Sequence, residues 1–319
     1  MTKKCDIKFE AVSCLICGST RSETIIKTSD RFDIAAGEIF TITRCSTCDF
    51  IYLNPRPTVD AIGSFYRSAG YQPFLSSQQK TSLLDKGYRL LRKGTVVAKR
   101  RKIEGLKNRG RLLDVGCGTG EFLHEMQSNG WEVSGVEKDS QAAAFARETF
   151  DLRISTDDLA ENKYLEKSYD VVTLWHVLEH LYEPTETLAI IRGILQDDGL
   201  ILVAVPNVAS VDADFYGENW VALDAPRHLY HFTPGSMEAL TDKADLRIVK
   251  ARQMPLDAFY NCLMSELILR DKNISKRGLL PLYLVRAFFT ALLTVVTAAG
   301  SGAAGRKQGS SVLYFIKKK

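Results

Sequence analysis

Read as a pattern of apolar and polar positions, the chain falls into three unlike stretches. Short alternating runs come first. Thr24-Ile25-Ile26 and Ile39-Phe40-Thr41-Ile42 have the period-two character of strands. Asn54-Pro55-Arg56-Pro57 predicts the end of this segment, because two prolines in three residues stop regular pairing. Thr58 to Tyr66 predicts a short helix. A longer helical pattern runs from Lys80 to Asn108, with breaks expected at Gly87 and Gly94. From Arg111 onward, apolar strand-like runs alternate with helical ones, which predicts an α/β domain. The expected units are an amino-terminal β module (1–56), a helical connector (57–109) and an α/β domain (110–319).

Near the carboxyl end, Leu279 to Gly305 carries one charge, Arg286, and is long enough to suggest a membrane span. Two features oppose that reading. Arg286, Thr290, Thr294, Thr297 and Ser301 recur at three- or four-residue steps and form one polar stripe on a helix. Ser311 to Lys317 must also return as the last strand of the domain's sheet. A helical insert over about 258–308 is therefore expected. It would cover the substrate site, form a homodimer contact or lie in a membrane interface.

Composition adds little to the fold but narrows the class. Hydrophobic residues make up 45% and charged residues 25%, as in soluble globular proteins. Seven cysteines are too few for a disulfide scaffold. With the charged stretch Met1 to Glu10, which lacks the apolar core of a secretory signal, they suggest a reducing cytoplasm. The net charge of +4 matters only where it is concentrated. Between Lys86 and Arg111 stand eleven Lys/Arg against the single acid Glu104. That run reads either as a solvated helix face or as a contact for an anion: RNA, a membrane surface or a phosphorylated substrate.

Four cysteines form two knuckles, Cys14-Leu15-Ile16-Cys17 and Cys45-Ser46-Thr47-Cys48, separated by 27 residues. Two Cys-x-x-Cys turns complete a tetrahedral S4 shell, so Cys14, Cys17, Cys45 and Cys48 are expected to bind a structural zinc in a zinc ribbon.

The α/β domain opens with the strand Arg111-Leu112-Leu113-Asp114-Val115, the loop Gly116-Cys117-Gly118-Thr119-Gly120 and a helix from Glu121. A second strand, Glu132 to Val136, ends at Glu137, 23 residues after Asp114. Strand, glycine loop, helix, strand and acid make a nucleotide-binding βαβ unit, in which the acid accepts hydrogen bonds from ribose hydroxyls. The Gly-x-Gly-x-Gly spacing differs from that of dinucleotide enzymes, and Asp114 suits a ligand with a cationic amino group.

Leu113 to Gly120 with Gly135-Val136-Glu137 resembles the class I S-adenosylmethionine-dependent methyltransferases. The resemblance continues through Tyr169-Asp170-Val171-Val172, His176-Val177-Leu178-Glu179-His180 and Asp198 to Asn207. Asp224 to Pro234 looks like a subgroup that often carries an amino-terminal zinc ribbon and whose genes lie among those for bacterial surface glycans. The resemblance implies a Rossmann-like sheet of seven strands, the last inserted antiparallel. It also implies a cofactor, S-adenosylmethionine, held by Asp114, Gly116, Cys117, Gly118 and Gly120, with Glu137 on the ribose. Asp158 would meet the adenine, and Trp175 and His176 would border the ligand.

Four of the five histidines fall in two clusters. His176, Glu179 and His180 spell the inverted zinc-protease motif, but the methyltransferase pattern leaves no protease scaffold around it. Some quinone O-methyltransferases place Glu-x-x-Glu-His here and bind magnesium, whereas this chain has His176 at the first acidic position. Glu179 and His180 then read as residues that pin helix and loop. The second cluster lies in the loop from Val208 to Phe232, which should hang over the ligand site. His176, His228 and His231 are the candidate catalytic residues. The latter two would deprotonate an acceptor hydroxyl, or would merely anchor the lid alongside Arg227. The expected reaction is methyl transfer to a sugar, glycan or lipid-linked precursor, with RNA as the alternative acceptor. A cofactor-binding regulator without catalysis is the third class.

Overall fold

The computed structural model describes residues 7–32, 37–67, 83–161, 168–272, 279–300 and 309–319 of the 319-residue chain. The amino-terminal segment is built from β1 (Phe9–Glu10), β2 (Ser22–Ser29), β3 (Ile39–Cys45), β4 (Ile51–Leu53) and β5 (Arg56–Pro57). The cysteine knuckles occupy the turns before β2 and between β3 and β4. The two prolines do not end pairing as expected, since Arg56–Pro57 still forms an antiparallel bridge with Phe9–Glu10. This two-residue pairing at an edge tolerates a missing amide donor.

The helices α1 (Val59–Tyr66) and α2 (Leu83–Glu104) follow. The expected breaks at Gly87 and Gly94 do not occur, because α2 runs through both. A glycine costs a helix only about 1 kcal/mol, which a long helix absorbs. Residues 68–82 of the predicted connector lie outside the described residues.

The α/β domain runs β6 (Arg111–Val115), α3 (Glu121–Ser128), β7 (Glu132–Val136), α4 (Ser140–Phe150), β8 (Ile154–Ser155), β9 (Tyr169–Trp175), α5 (Pro184–Ile194) and β10 (Leu195–Pro206). It continues with α6 (Val211–Tyr216), β11 (Tyr230–His231), α7 (Pro234–Lys243), β12 (Leu246–Gln253), α8 (Pro255–Lys272), α9 (Leu280–Gly300) and β13 (Ser311–Lys318). Seven strands form one mixed sheet in the order β12-β13-β10-β9-β6-β7-β8, with β13 antiparallel between β10 and β12. The strands from β10 to β8 are parallel neighbours. Their apolar runs are buried on both faces, as parallel strands require.

A second sheet has the order β11-β4-β3-β2. Its edge strand β11 comes from the loop region of the α/β domain and pairs with β4 through Tyr230 opposite Tyr52 and His231 opposite Ile51. Phe40, Phe50, Tyr52, Leu229 and Phe232 therefore share one core with the main sheet. The ribbon is knitted into the domain it precedes.

The polar stripe of α9 points inward. Thr290 and Thr294 are buried with Ala287 and Ala291, and Arg286 Nε reaches the buried Glu266 Oε1 at 3.1 Å. The apolar residues face out instead, with Phe289 62% and Val296 59% exposed. Leu280–Ala299 is long and apolar enough to cross a membrane by length and composition, and 28% of it is buried. Ser301 lies outside the described residues.

Candidate active site at the carboxyl ends of the parallel strands

The loop after β6 is shaped by left-handed backbone at Gly116 (φ 70°) and Gly118 (φ 56°), a conformation that L-residues rarely adopt. A Cβ at Gly116 would also lie 2.4 Å from the Val177 side chain. Glu137, one residue beyond β7, fastens this loop. Gly118 N–H donates to its Oε2 at 2.7 Å and Asp139 N–H donates to its Oε1 at 2.9 Å. Burial pushes the Glu137 carboxyl above its ordinary range despite these donors.

Asp114, next to last in β6, is almost wholly buried. Its only described hydrogen bond comes from Thr173 Oγ1 on β9 at 2.5 Å. Burial outweighs that bond and pushes its carboxyl up to about 7. An acid in this condition gains a great deal from a cation placed beside it. Trp175 at the end of β9 has a buried Nε1 without a hydrogen-bond partner. Lys99 Nζ of α2 lies 4.1 Å from its ring centroid. A buried acid, an acidic loop clamp, close-approach glycines and an orphaned indole N–H fit S-adenosylmethionine, whose amino acid is cationic and whose ribose offers hydroxyl donors. Asp158 follows β8 and pairs with Lys138 at 2.5 Å, on the Glu137 side of the site. Cys117 is buried against Gly135, where any Cβ would meet its sulfur at 2.7 Å. It packs the loop.

His176 takes a left-handed turn (φ 57°) straight after β9. The following Leu178–His180 is a short 3₁₀ turn, not the α-helix that would align the His-x-x-Glu-His residues on one face. His176 consequently turns to α8, where its Nε2–H donates to Asp257 Oδ2 at 3.1 Å, and its Nδ1 lies 3.6 Å from Glu179 Oε1. Burial opposes its charge, but the two carboxylates outweigh burial and lift the imidazolium to about 10. A ring held cationic in this way is a poor proton acceptor at neutral pH, so a catalytic part for His176 would be to bind or orient rather than to take a proton.

His228 and His231 are buried in the lid loop rather than open to a bound acceptor. His228 donates Nδ1–H to the Ala222 carbonyl at 2.7 Å and packs edge-on to His180, ring centroids 4.6 Å apart. Burial and the neighbouring His180 lower it to about 4. Burial brings His231 to about 3, and its Nε2 has no hydrogen-bond partner. Arg227 beside them is an anchor. It is fully buried and bonded to Asp30 and Asp224.

The two knuckles bring Cys14, Cys17, Cys45 and Cys48 together, with all four sulfurs within 4.8 Å of one another. The Cys14–Cys48 and Cys17–Cys45 sulfur pairs are 3.5 Å apart, the spacing of a tetrahedral thiolate shell. Burial resists ionisation of Cys45, but the Thr47 and Cys48 amides aimed at its sulfur prevail and bring the thiol down to about 6. The site is compatible with zinc.

Sequence reasoning missed Thr173, Lys99 and Asp257. A threonine inside the apolar strand Val171-Val172-Thr173-Leu174 was a legible hint, since a buried hydroxyl needs a partner. Lys99 was hidden within the basic run. Asp257 gave no signal, because only the packing of α8 brings it to the strand ends.

A family model for the methyltransferase domain matches residues 86–251, just over half of the chain. A protein of Geobacillus sp. (strain WCH70) that carries a methyltransferase name is 32% identical over 127 residues, 37% of this chain and 51% of that one. The ubiquinone biosynthesis O-methyltransferase of Actinobacillus pleuropneumoniae serotype 5b (strain L20) is 27% identical over 154 residues, 43% of this chain and 65% of that one. The chain thus spans about half to two thirds of the length of these relatives. Among solved structures, Haemonchus contortus phosphoethanolamine N-methyltransferase 2 with S-adenosyl-L-methionine has a TM-score of 0.48 and 17% identity, covering 70% of this chain and 52% of that one. A methyltransferase from Archaeoglobus fulgidus has a TM-score of 0.47 and 22% identity, covering 71% and 94%. With its glycine loop, acidic clamp and seven-stranded sheet, the chain belongs to the methyltransferase-domain family.

Proposed function

We propose that this protein is an S-adenosylmethionine-dependent methyltransferase acting on a lipid-linked glycan precursor. The observation that carries methyl transfer is the clamp in which Glu137 holds the Gly118 amide at 2.7 Å beside the buried Asp114. S-adenosylmethionine supplies an electrophilic methyl group. Asp114 would hold the cofactor's amino group, Glu137 its ribose and Asp158 its adenine, while Trp175 lines the site. Because His176 stays cationic and His228 and His231 are buried, the chain's contribution is alignment and exclusion of water rather than proton removal by histidine.

The insert supports a lipid-linked acceptor. Its helix α8 carries Asp257 to the strand ends, while its helix α9 turns Leu282, Val285, Phe289, Leu293 and Val296 to solvent. In the sequence, α9 is bracketed by Lys272, Lys276 and Arg277 before it and Arg306 and Lys307 after it. An apolar helix face flanked by cations suits the surface of an anionic bilayer. A cytoplasmic protein with peripheral membrane contact is the corresponding location. The RNA reading loses support, because several of the cations that suggested it have partners within the fold. Arg100 is bound to Glu104 and Glu125, Lys107 to Asp198 and Arg111 to Glu132. The cysteine centre holds a structural zinc. The test offers labelled S-adenosylmethionine and the enzyme to separate glycan, lipid and RNA fractions. Label in the lipid-extractable glycan fraction is expected, and label only in RNA would overturn the acceptor assignment.

A further inference from the structure

A second group of metal-binding atoms lies apart from the cysteines. Glu179, His180 and His228 each offer a ligand atom, and these atoms are all within 4.8 Å of one another. Glu179 is 1% exposed, and neither carboxylate oxygen makes a hydrogen bond. The nearby His176 Nδ1, at 3.6 Å, is beyond hydrogen-bonding distance. The protonated His176 ring balances part of its charge, but both carboxylate oxygens are left without a donor, a buried arrangement that a coordinating cation would complete.

Both imidazoles are set to ligate. His180 Nδ1 lies 3.0 Å from both the Arg227 carbonyl and the Tyr66 hydroxyl; the carbonyl only accepts, so Nδ1–H donates to it with the hydroxyl alongside, and His228 donates Nδ1–H to the Ala222 carbonyl at 2.7 Å. With Nδ1 carrying the proton, Nε2 carries the lone pair in both rings. A backbone carbonyl that holds the far side of a metal-bound histidine is the usual outer partner of such ligands. The two chain segments are already joined, since Leu229 N–H donates to the Glu179 carbonyl at 2.8 Å. Next to His228, the buried Nε2 of His231 has no hydrogen-bond partner either.

We infer that Glu179, His180 and His228 form a second metal centre, for a borderline divalent cation such as zinc or iron(II), which ties the turn after β9 to the lid loop. Two neutral imidazoles and one carboxylate favour such ions over magnesium, which prefers an all-oxygen octahedron. The donor set is not the Glu-x-x-Glu-His arrangement. The first of those positions is His176, whose ring is engaged by Asp257, and the third donor here comes from the lid. The centre stands whether or not the chain transfers methyl groups.

Cobalt(II) titration of the metal-stripped, refolded full chain tests this. About two equivalents are expected. One should show thiolate-to-cobalt charge transfer, and the other only the weaker ligand-field bands of nitrogen and oxygen donors. Zinc should displace the second ion and magnesium should not. His228→Gln and Glu179→Gln should each lower the stoichiometry to about one and leave the thiolate spectrum unchanged. A folded wild type that binds only the thiolate-ligated ion overturns the assignment. So does a second ion that both variants retain or that magnesium displaces. If a variant does not fold, the stoichiometry and band pattern of the wild type decide.

Discussion

Arg227 and Asp30, 197 positions apart, form a fully buried ion pair, with Arg227 Nη2 2.6 Å from Asp30 Oδ1. The same guanidinium bonds Asp224 at 2.8 Å, and Arg31 reaches Asp224 at 2.9 Å. Two arginines beside the carboxylate outweigh its burial and hold Asp224 well below the usual range. The network fastens the ribbon to the lid loop. Removing one partner leaves a buried charge uncompensated, so Asp30→Ala should cost about 3–5 kcal/mol. Urea unfolding of variant and wild type measures this. A loss below about 1 kcal/mol would mean that the pair is solvated in solution.

Asp114 should make cofactor binding pH-dependent. Its carboxyl lies at about 7 without a ligand, and a bound cation would lower it. Binding must then expel a proton below pH 7, so affinity should rise as pH rises and level off above about 7. The sign for stability is opposite. A folded pKa raised above the unfolded one makes ligand-free stability fall as pH rises from about 4 to about 7. Calorimetry in buffers of different ionisation enthalpy reads the expelled proton, and Asp114→Asn should abolish it. Affinity independent of pH would remove Asp114 from the site.

Glu137 should matter for affinity more than for fold. Glu137→Ala removes the acceptor of the Gly118 amide and would remove the proposed acceptor of the ribose, worth about 1.5–3 kcal/mol or roughly 10- to 100-fold in affinity. Gly118→Arg should block the same loop, where φ is 56°. Unchanged affinity in both folded variants would displace the cofactor from this loop.

Metal removal from the cysteine centre should destabilise the whole chain, because Cys14 and Cys45 belong to the same core as the main sheet. A strong chelator with a mild thiol reagent should release zinc and lower the single melting transition. Separate transitions, with the α/β domain unaffected, would show that the ribbon is independent of it.

The outward face of α9 should bind anionic vesicles in a salt-sensitive way. Phe289→Asp places a charge at a 62% exposed position and should abolish flotation without loss of stability. Reversing Arg101 should weaken binding less, and Arg100 is the wrong target because it is held by Glu104 and Glu125. Wild type that stays in the soluble fraction at low salt would exclude membrane contact.

Local patterns were enough for the glycine loop, the acid at Glu137, the order of strands and the cysteine knuckles. Each depends on backbone or ligand geometry within a few residues, so spacing along the chain carries it. The paired prolines and the α2 glycines were misleading for the opposite reason. Their local cost is small beside the packing of an edge bridge or a long helix.

The histidines show where local reading stops. In sequence His176 and Glu179 stand as one motif, yet the left-handed turn at His176 carries its Nε2 to Asp257, 81 positions away, and Glu179 groups with His180 and with His228 from the lid loop. Period alone found the polar stripe of α9 but not its direction, which was decided by buried Glu266 waiting for Arg286. The amino-acid order by itself determined the strands, the glycine loop and the cysteine cluster, because those follow from short-range geometry. Only the tertiary structure decided which charges meet, since burial and long-range pairing depend on how distant segments pack.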